Sequence, residues 1–367
     1  MSDYIIQSRN GGYIAEPSYY SGLPFYANAD AYTVIQAAIN QLTPQQPLGS
    51  GLGTYGGHIK ITRTNYQLSN ELIITGWENS GAPYSQLWLD GDGFSTCLSQ
   101  SNANKNVIRI KNCASVKISN MSLSAGSVAA SCILGDDTGA NECSFMRSDF
   151  DNLLMQSNNA SYPCVYLQNP FYSGFSKITA LNSQGDAFRM VNNSKQNVSY
   201  GNCNFSNLVT RAGGVGSGLI IISADGSHYI DQCDFQNFNC NAGLYGIQVG
   251  DANVMKFSNI DIEGCPNPIS LGVLPSFFGA VGFKFDNGLI MPAVGKSGIL
   301  CAGRSGGVGS ENLMILPGDD TTPLITDTST GIPNKWDILI QYPGKPVFNI
   351  TNQKTITTYR TWSGLAN

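Results

Sequence analysis

A short pattern that returns at a loose spacing constrains the fold of this chain more than any other feature. "CNFSN" at 203–207 returns 30 residues later as "CDFQN" at 233–237, and after 22 more residues as "MKFSN" at 255–259. A constant local pattern with a variable spacing indicates stacked coils whose core corner is fixed while their loops differ in length. One coil cannot bury its apolar side alone, so such coils must stack to form a core.

The repeat predicts two internal columns of stacked side chains. From about residue 58, segments of about 20–32 residues open with short apolar runs such as "VIRIKNC" and "LIIISADG", and each is typical of a strand followed by a turn. Asparagine tolerates the left-handed conformation and its amide can bond to neighbouring turns. We therefore predict a ladder of stacked amides from Asn120, Asn152, Asn207, Asn237, Asn259 and Asn287. The phenylalanines two places earlier are predicted to stack in the core: Phe205, Phe235, Phe257 and Phe285.

The segment "DAYTVIQAAINQL" at 30–42 is the exception to the strand pattern. Asp30 is a suitable N-cap. The segment places five apolar residues on one stripe of a helix: Val34, Ile35, Ala38, Ile39 and Leu42. A short helix before the first coil would cover the open end of the stack, where free strand edges invite aggregation.

Composition narrows the class of protein. Charged residues are 12% of the chain and the formal net charge is −5, which argues against a nucleic-acid binder. No run of 18 apolar residues is present, so no membrane span is predicted, and the first residues do not form a signal peptide. The ten cysteines include Cys203 and Cys233 at equivalent repeat positions, so we interpret most of them as reduced core residues.

With these strands, the asparagine pattern and the helix at 30–42, residues 28–360 resemble the pectate-lyase-like right-handed parallel β-helix superfamily. The resemblance implies an all-β fold, a single-stranded right-handed parallel β-helix of about 10–12 coils with a short N-terminal capping helix. We predict an N-terminal arm at 1–27, the β-helix at 28–320, and C-terminal coils at 321–367 that cap the stack or mediate oligomerisation.

In its low charge and its lack of a predicted signal peptide, the chain resembles the tailspike depolymerases of bacterial viruses, which form trimers. This implies a protein that binds and cleaves a polysaccharide by hydrolysis with an acid and a base carboxylate. It also implies a homotrimer at the virion surface or outside the cell, attached to a larger assembly through residues 1–27, with no metal or cofactor. Two alternatives remain: a polysaccharide lyase, to which a calcium ion would be added, and a non-catalytic fibre or adhesin.

In the resembled fold, outward side chains form columns along one face, and these columns supply the candidate site. The predicted catalytic carboxylates are Asp136, Asp137, Asp186 and Asp225. The predicted substrate-binding residues are Arg109, Tyr166, Arg189, Gln248 and His228. Turns use aspartate for structural reasons as well, so each carboxylate has a purely structural alternative. A second column, which includes Lys117, Lys177, Asn204, Asp234 and Lys256, is interpreted as a solvated face and as the runner-up site.

Overall fold

The structure is a computed structural model that describes residues 3–18, 22–43, 56–75, 86–138, 144–193, 200–224, 229–273, 279–340, 348–351 and 355–361. The chain divides into two compact units, residues 1–182 and residues 183–367. Each unit is a stack of parallel coils, so the predicted all-β parallel β-helix is confirmed. The predicted boundaries near residues 27 and 320 stay a prediction.

Unit 1, residues 1–182, contains one helix and seventeen strands among its described residues. In chain order they are β1 (Tyr4–Arg9), β2 (Gly12–Pro17), β3 (Tyr26–Asn28), α1 (Ala31–Leu42), β4 (Gly56–Ile61), β5 (Asn65–Leu68), β6 (Leu72–Thr75), β7 (Gln86–Gly91), β8 (Cys97–Gln100), β9 (Ile108–Lys111), β10 (Cys113–Ala114), β11 (Lys117–Ala125), β12 (Ile133–Asp136), β13 (Phe145–Met146), β14 (Asp149–Ser157), β15 (Val165–Gln168), β16 (Pro170–Phe171) and β17 (Gly174–Asn182).

The coils of unit 1 build three parallel sheets. Sheet 1 contains β4, β5, β7, β8, β11, β14 and β17, sheet 2 contains β6, β9, β12 and β15, and sheet 3 contains the short strands β10, β13 and β16. One coil therefore runs through β10, β11 and β12, and the next through β13, β14 and β15. Alternate residues along each strand are buried, so each sheet has one core face and one outward face.

The start of unit 1 is closed by α1 and a hairpin. Asp30 caps α1 by accepting hydrogen bonds from the backbone N–H groups of Tyr32 and Thr33, as predicted. The predicted apolar stripe is buried. β1 pairs antiparallel with β2 and parallel with β4, which continues sheet 1 by one strand. The predicted N-terminal arm thus contributes a hairpin that pairs with the first coil.

Unit 2, residues 183–367, contains eighteen strands among its described residues. They are β18 (Phe188–Asn192), β19 (Tyr200–Gly201), β20 (Asn204–Arg211), β21 (Ser217–Ser223), β22 (Ile230–Asp231), β23 (Asp234–Asn241), β24 (Tyr245–Val249), β25 (Ala252–Asn253), β26 (Lys256–Glu263), β27 (Asn267–Leu271), β28 (Ala280–Val281), β29 (Lys284–Ile290), β30 (Ile299–Cys301), β31 (Gly309–Ile315), β32 (Ile325–Asp327), β33 (Lys335–Ile340), β34 (Phe348–Ile350) and β35 (Ile356–Thr361).

Unit 2 repeats the three-sheet plan. Its sheet 1 contains β20, β23, β26, β29, β31, β33 and β35, its sheet 2 contains β18, β21, β24, β27, β30, β32 and β34, and its sheet 3 contains β19, β22, β25 and β28. Sheet 2 contributes one strand to each coil in the described residues, four strands in unit 1 and seven in unit 2.

The predicted asparagine ladder is present in both units. In unit 1, Asn152 Nδ2 donates to Asn120 Oδ1 over 2.8 Å. In unit 2, Asn237 Nδ2 donates to Asn207 Oδ1 over 2.9 Å, and Asn259 Nδ2 donates to Asn237 Oδ1 over 3.1 Å. All six predicted asparagines have φ between 53° and 56°, the left-handed conformation that asparagine tolerates best after glycine. The ladder therefore marks a bend within each long strand, and local backbone chemistry explains the repeat.

The predicted phenylalanine stack fills the core of unit 2. Phe205 and Phe235 are parallel with ring centroids 4.4 Å apart, Phe235 and Phe257 are 4.5 Å apart, and Phe257 and Phe285 are 5.3 Å apart. The four side chains are at most 1% exposed. Unit 1 holds an equivalent pair, Phe150 and Phe175, with centroids 4.8 Å apart. Like residues at like repeat positions thus stack on one another.

Nine cysteines lie within the described residues, and all nine are free thiols. Eight of them are buried and Cys97 is half-buried, as expected of small core residues. The tenth, Cys143, lies outside the described residues.

Two substitutions at Asn237 separate the two ways in which the ladder stabilises the fold, through its amide hydrogen bonds and through its left-handed backbone conformation. Asn237→Ala removes two amide hydrogen bonds and forces alanine into the left-handed conformation, so we expect the free energy of unfolding to fall by about 2 kcal/mol. Asn237→Gly removes the same hydrogen bonds without the backbone strain, and we expect a loss of about 1 kcal/mol. Urea unfolding followed by far-ultraviolet circular dichroism measures both. Equal losses for the two variants would contradict a role for backbone conformation.

Candidate functional site

The outward face of sheet 2 in unit 1 carries two columns of side chains in register. Ile73, Arg109, Leu134 and Tyr166 occupy equivalent positions on β6, β9, β12 and β15. Thr75, Lys111 and Asp136 occupy the next outward position on β6, β9 and β12, and Gln168 continues this column on β15. Successive strands lie ~4.8 Å apart, so adjacent members of a column are in contact range. The structure thus brings together Arg109, Asp136 and Tyr166 of the predicted site on one rigid face.

Arg109 is held by two buried carboxylates, and we call this group the Arg109 cluster. Its Nε donates to Asp136 Oδ2 over 2.6 Å, its Nη2 contacts the same oxygen, and its Nη1 lies 3.4 Å from Glu71 Oε1. Glu71 also accepts a hydrogen bond from Asn106 Nδ2 over 2.8 Å. The guanidinium is about one-third exposed, since its side chain retains 32% of its accessible surface. Arg109 is therefore fixed in place with part of its surface available to a ligand.

Asp136 is an ionised and fully engaged carboxylate. Burial favours its protonated form, but hydrogen bonds from Thr138 and the charge of Arg109 outweigh burial and hold the pKa of Asp136 below its ordinary value of 3.8. Thr138 donates both its backbone N–H and its hydroxyl to Asp136, each over 3.0 Å. A carboxylate in this state cannot donate a proton near neutral pH. It serves to position Arg109 and the turn after β12.

Asp137 differs from its neighbour because it is half-buried. Its Oδ2 accepts a hydrogen bond from Asn169 Nδ2 over 3.0 Å, and its backbone N–H donates to Gln168 Oε1 over 3.2 Å. It lies at the end of β12, next to the Arg109 cluster. Of the two adjacent aspartates predicted to be catalytic, Asp137 is the one whose carboxylate lies partly at the surface.

Unit 2 brings together three further predicted residues. Asp186 Oδ2 contacts Arg189 Nη2, and Asp186 Oδ1 accepts a hydrogen bond from the backbone N–H of Ser217 over 2.8 Å. Ser217 Oγ in turn donates to Gln248 Oε1 over 3.1 Å. Gln248 occupies the same column as Arg189, two strands further along sheet 2, and it is only 8% exposed. The remaining two predicted residues, Asp225 and His228, lie outside the described residues.

Sequence reasoning missed a second outward group, on sheet 1 of unit 1, which we call the His58 column. Its members are His58, Trp88 and Lys117 at equivalent positions on β4, β7 and β11. The His58 and Trp88 rings are stacked with centroids 4.1 Å apart, and Lys117 Nζ lies 4.3 Å from the Trp88 ring centroid. Both faces of the indole are therefore covered, and a sugar ring cannot stack on it. Only Lys117 is named from the sequence, because loops of unequal length conceal the register that pairs His58 with Trp88.

A charged network lies beside the His58 column. Lys60 Nζ binds Asp90 Oδ2 over 2.7 Å and Asp92 Oδ1 over 3.0 Å, and His58 Nε2 lies 3.8 Å from Asp90 Oδ2. Burial holds the pKa of His58 below its ordinary value of 6.5, which outweighs the opposing charge of Asp90. Burial would raise the pKa of Asp90, but hydrogen bonds from Lys60, Asn120 and Ser119 hold it below 3.8. Near pH 7 the pair is a neutral imidazole beside a carboxylate, an arrangement that can accept a proton.

Within the described part of the chain, no group of three or more His, Cys, Asp or Glu side chains is arranged to hold a metal ion. The prediction that the protein needs no cofactor stays a prediction. Among the helices of the described residues, none is long and apolar enough to cross a membrane.

No protein-family model matches the chain, and no curated protein is similar to it at a significant level. The solved structures that resemble it include the ORF18 protein of Geobacillus virus E2, with a TM-score of 0.51, 15% sequence identity, and coverage of 91% of this chain and 59% of that chain. The A-module of mannuronan C-5 epimerase AlgE6 from Azotobacter vinelandii gives a TM-score of 0.49 at 12% identity, covering 92% and 96% of the two chains. The catalytic domain of a GH87 alpha-1,3-glucanase gives 0.46 at 12% identity, covering 88% and 70%. The chain spans 59% of the length of the viral protein, and the likeness is one of fold.

Proposed function

We propose that the protein binds a polysaccharide along the outward face of sheet 2 in unit 1. A sugar ring presents C–H faces and hydroxyl groups, so its site combines apolar surface with a few fixed polar groups. This face offers the half-buried side chains of Ile73, Leu134 and Tyr166 beside the polar groups of Arg109 and Lys111. Parallel strands hold these side chains at a regular spacing, which suits a polymer of repeated units.

The fixed guanidinium of Arg109 is the observation that carries the proposal, and it also indicates the kind of glycan. Glu71 and Asp136 more than balance the charge of Arg109, so the guanidinium offers N–H donors within a cluster that has no net positive charge. Lys111 and Asp137, with opposite charges, flank the cluster. Donors in a cluster without net positive charge favour the hydroxyl groups of a sugar over the charged groups of a polyanion. The proposed ligand is therefore a polysaccharide with few charged groups.

Cleavage of the bound glycan by hydrolysis is the finer form of the proposal. It assigns the reacting carboxylate to Asp137, because the carboxylate of Asp136 is engaged by Arg109 and Thr138. The alternatives are a polysaccharide lyase and a non-catalytic fibre or adhesin. The proposal includes a location at a virion surface or outside the cell and assembly into a trimer. The fold of this chain is similar to that of a viral protein, which agrees with this location.

Binding is tested by affinity electrophoresis of the full chain in gels that contain neutral or acidic polysaccharides. We expect retention by a neutral polymer and a loss of affinity of about tenfold for Tyr166→Ala, which removes apolar contact area without breaking a described hydrogen bond. Gln156→Ala, on the exposed face of β14 in sheet 1, is the matched control and is expected to bind normally. Equal weakening by both variants, or retention by no neutral polymer, would overturn the proposed site.

Cleavage is tested by the release of reducing ends from the polymer that is retained. Hydrolysis that disappears in Asp137→Asn supports the finer proposal. Release accompanied by ultraviolet absorbance from an unsaturated product identifies a lyase instead. Binding without any release of ends makes the protein a fibre or adhesin.

A further inference from the structure

Two buried thiols in unit 2 face each other across neighbouring coils. Cys240 lies near the end of β23, and its register partner on the next coil is Ile262, three residues before Cys265. The Sγ atoms of Cys240 and Cys265 are 3.6 Å apart, and the two side chains are at most 1% exposed. A disulfide needs a separation of about 2.05 Å, so the sulfur atoms must approach by about 1.5 Å.

The surroundings of Cys240 favour its thiolate. The hydrogen bond with the Cys265 thiol lowers the pKa of Cys240 and outweighs burial, and the Thr210 hydroxyl acts in the same direction. Cys265 holds its proton more strongly, because that hydrogen bond and burial raise its pKa. Gly218 leaves the space that the sulfur occupies, since a Cβ at that position would lie 2.3 Å from Cys240 Sγ. Cys240 is thus the thiol of the pair that ionises more readily, and Cys265 is already in contact with it.

Two other close pairs lie within the described residues, Cys132–Cys164 in unit 1 and Cys203–Cys233 in unit 2, where burial and the contact with Cys203 raise the pKa of Cys233. Cys132 and Cys164 in unit 1 have Sγ atoms 3.7 Å apart, but burial raises the pKa of Cys164. Burial also raises the pKa of Cys97, the half-buried thiol. All three pairs thus bring two thiols close together, and Cys240 is the thiol among them whose pKa is lowered.

We propose that Cys240 and Cys265 form an oxidisable dithiol that hydrogen peroxide converts into a disulfide joining two neighbouring coils. The Cys240 thiolate attacks one oxygen of peroxide, the O–O bond breaks, and hydroxide leaves with the Cys265 proton as water. The Cys265 thiolate then attacks the sulfur of the Cys240 sulfenic acid, the S–O bond breaks, and hydroxide takes up a proton from solvent to form a second water. Two thiols are oxidised and one peroxide is reduced. A water-sized oxidant suits this buried site, which a bulky disulfide reagent cannot enter.

The sequence makes the product easy to identify. Lys256 lies between the two cysteines, so trypsin places Cys240 in the peptide 212–256 and Cys265 in the peptide 257–284. After peroxide treatment and alkylation of the unfolded protein, we expect these peptides to remain linked, with fragmentation assigning the link to Cys240 and not to Cys233. A rise in Tm of about 5 °C or more is expected on oxidation, because the bond closes a loop of 25 residues.

A variant distinguishes direct oxidation of Cys240 from passive proximity. In Cys265→Ser the resolving thiol is absent, so the Cys240 sulfenic acid should persist and be trapped by dimedone when the protein is unfolded in its presence. The Cys132→Ser/Cys164→Ser double variant is the matched control and should still form the Cys240–Cys265 bond. Recovery of both cysteines as alkylated thiols in the native protein, a link through Cys233, or earlier formation of a Cys132–Cys164 bond would each overturn the proposal.

Discussion

Replacing Phe257 by alanine is expected to lower the free energy of unfolding of unit 2 by about 3–5 kcal/mol. Phe257 stands in the middle of the stack between Phe235 and Phe285, and it also contacts the ring of Phe238 edge-on with centroids 6.2 Å apart. Its removal deletes a fully buried ring and leaves a cavity that strands on either side cannot close. Because each coil supports only its neighbours, the loss falls on the coils around β26.

Urea unfolding followed by circular dichroism measures this loss, and hydrogen exchange locates it along the chain. Phe257→Leu retains most of the apolar volume and should cost about 1.5 kcal/mol. Phe94→Ala is the control for an exposed aromatic, since Phe94 is 49% exposed, and its effect should stay within about 0.5 kcal/mol. A loss for Phe257→Ala as small as that of Phe94→Ala would contradict a continuous aromatic core.

The parts of the fold that the sequence predicts are those set by repeated local chemistry. Asn237 needs a left-handed backbone and Phe257 needs a buried position, and both requirements recur two residues apart in five coils. Asp30 likewise caps α1 through its own side chain and the next three residues. Such features depend on residues that are close along the chain, so the sequence pattern alone is enough to predict them.

The site is less predictable because it depends on which residues different coils bring together. The sequence identifies Arg109 and Asp136 as outward residues, but it does not reveal that Glu71, 38 positions before Arg109, completes the ion pair. His58 and Trp88 meet only because β4 and β7 pair in one particular register, and loops of unequal length conceal that register. The partners that lower the pKa of Asp136 are hidden for the same reason, because Arg109 comes from another coil, while Thr138 comes from the turn that follows β12.

Asp327→Leu is expected to destabilise the last coils of unit 2 by at least about 3 kcal/mol. The Asp327 side chain is fully buried and accepts hydrogen bonds from Ser329, Asn334, Trp336 and Thr355, with no cation beside it among the described residues. The Asn334 amide and the Trp336 indole N–H, which are also buried, would lose an acceptor that no water replaces. Circular dichroism in urea gives the stability, and Trp336 fluorescence follows the affected coils.

The same carboxylate makes the stability of these coils dependent on pH. Burial favours the protonated form, but the hydrogen bonds from Ser329, Asn334 and Trp336 outweigh it and hold the pKa of Asp327 below its ordinary value of 3.8. Because the folded pKa lies below the unfolded one, the ionised form stabilises the fold above pH 3.8, and that contribution is lost as the pH falls through the folded pKa. Asp327→Asn cannot ionise, so the difference in unfolding free energy between the native protein and this variant should shrink from about pH 6 to about pH 2. A difference that stays constant over that range would show that the carboxylate charge does not stabilise the coils, and that shape alone accounts for the effect of Asp327→Leu.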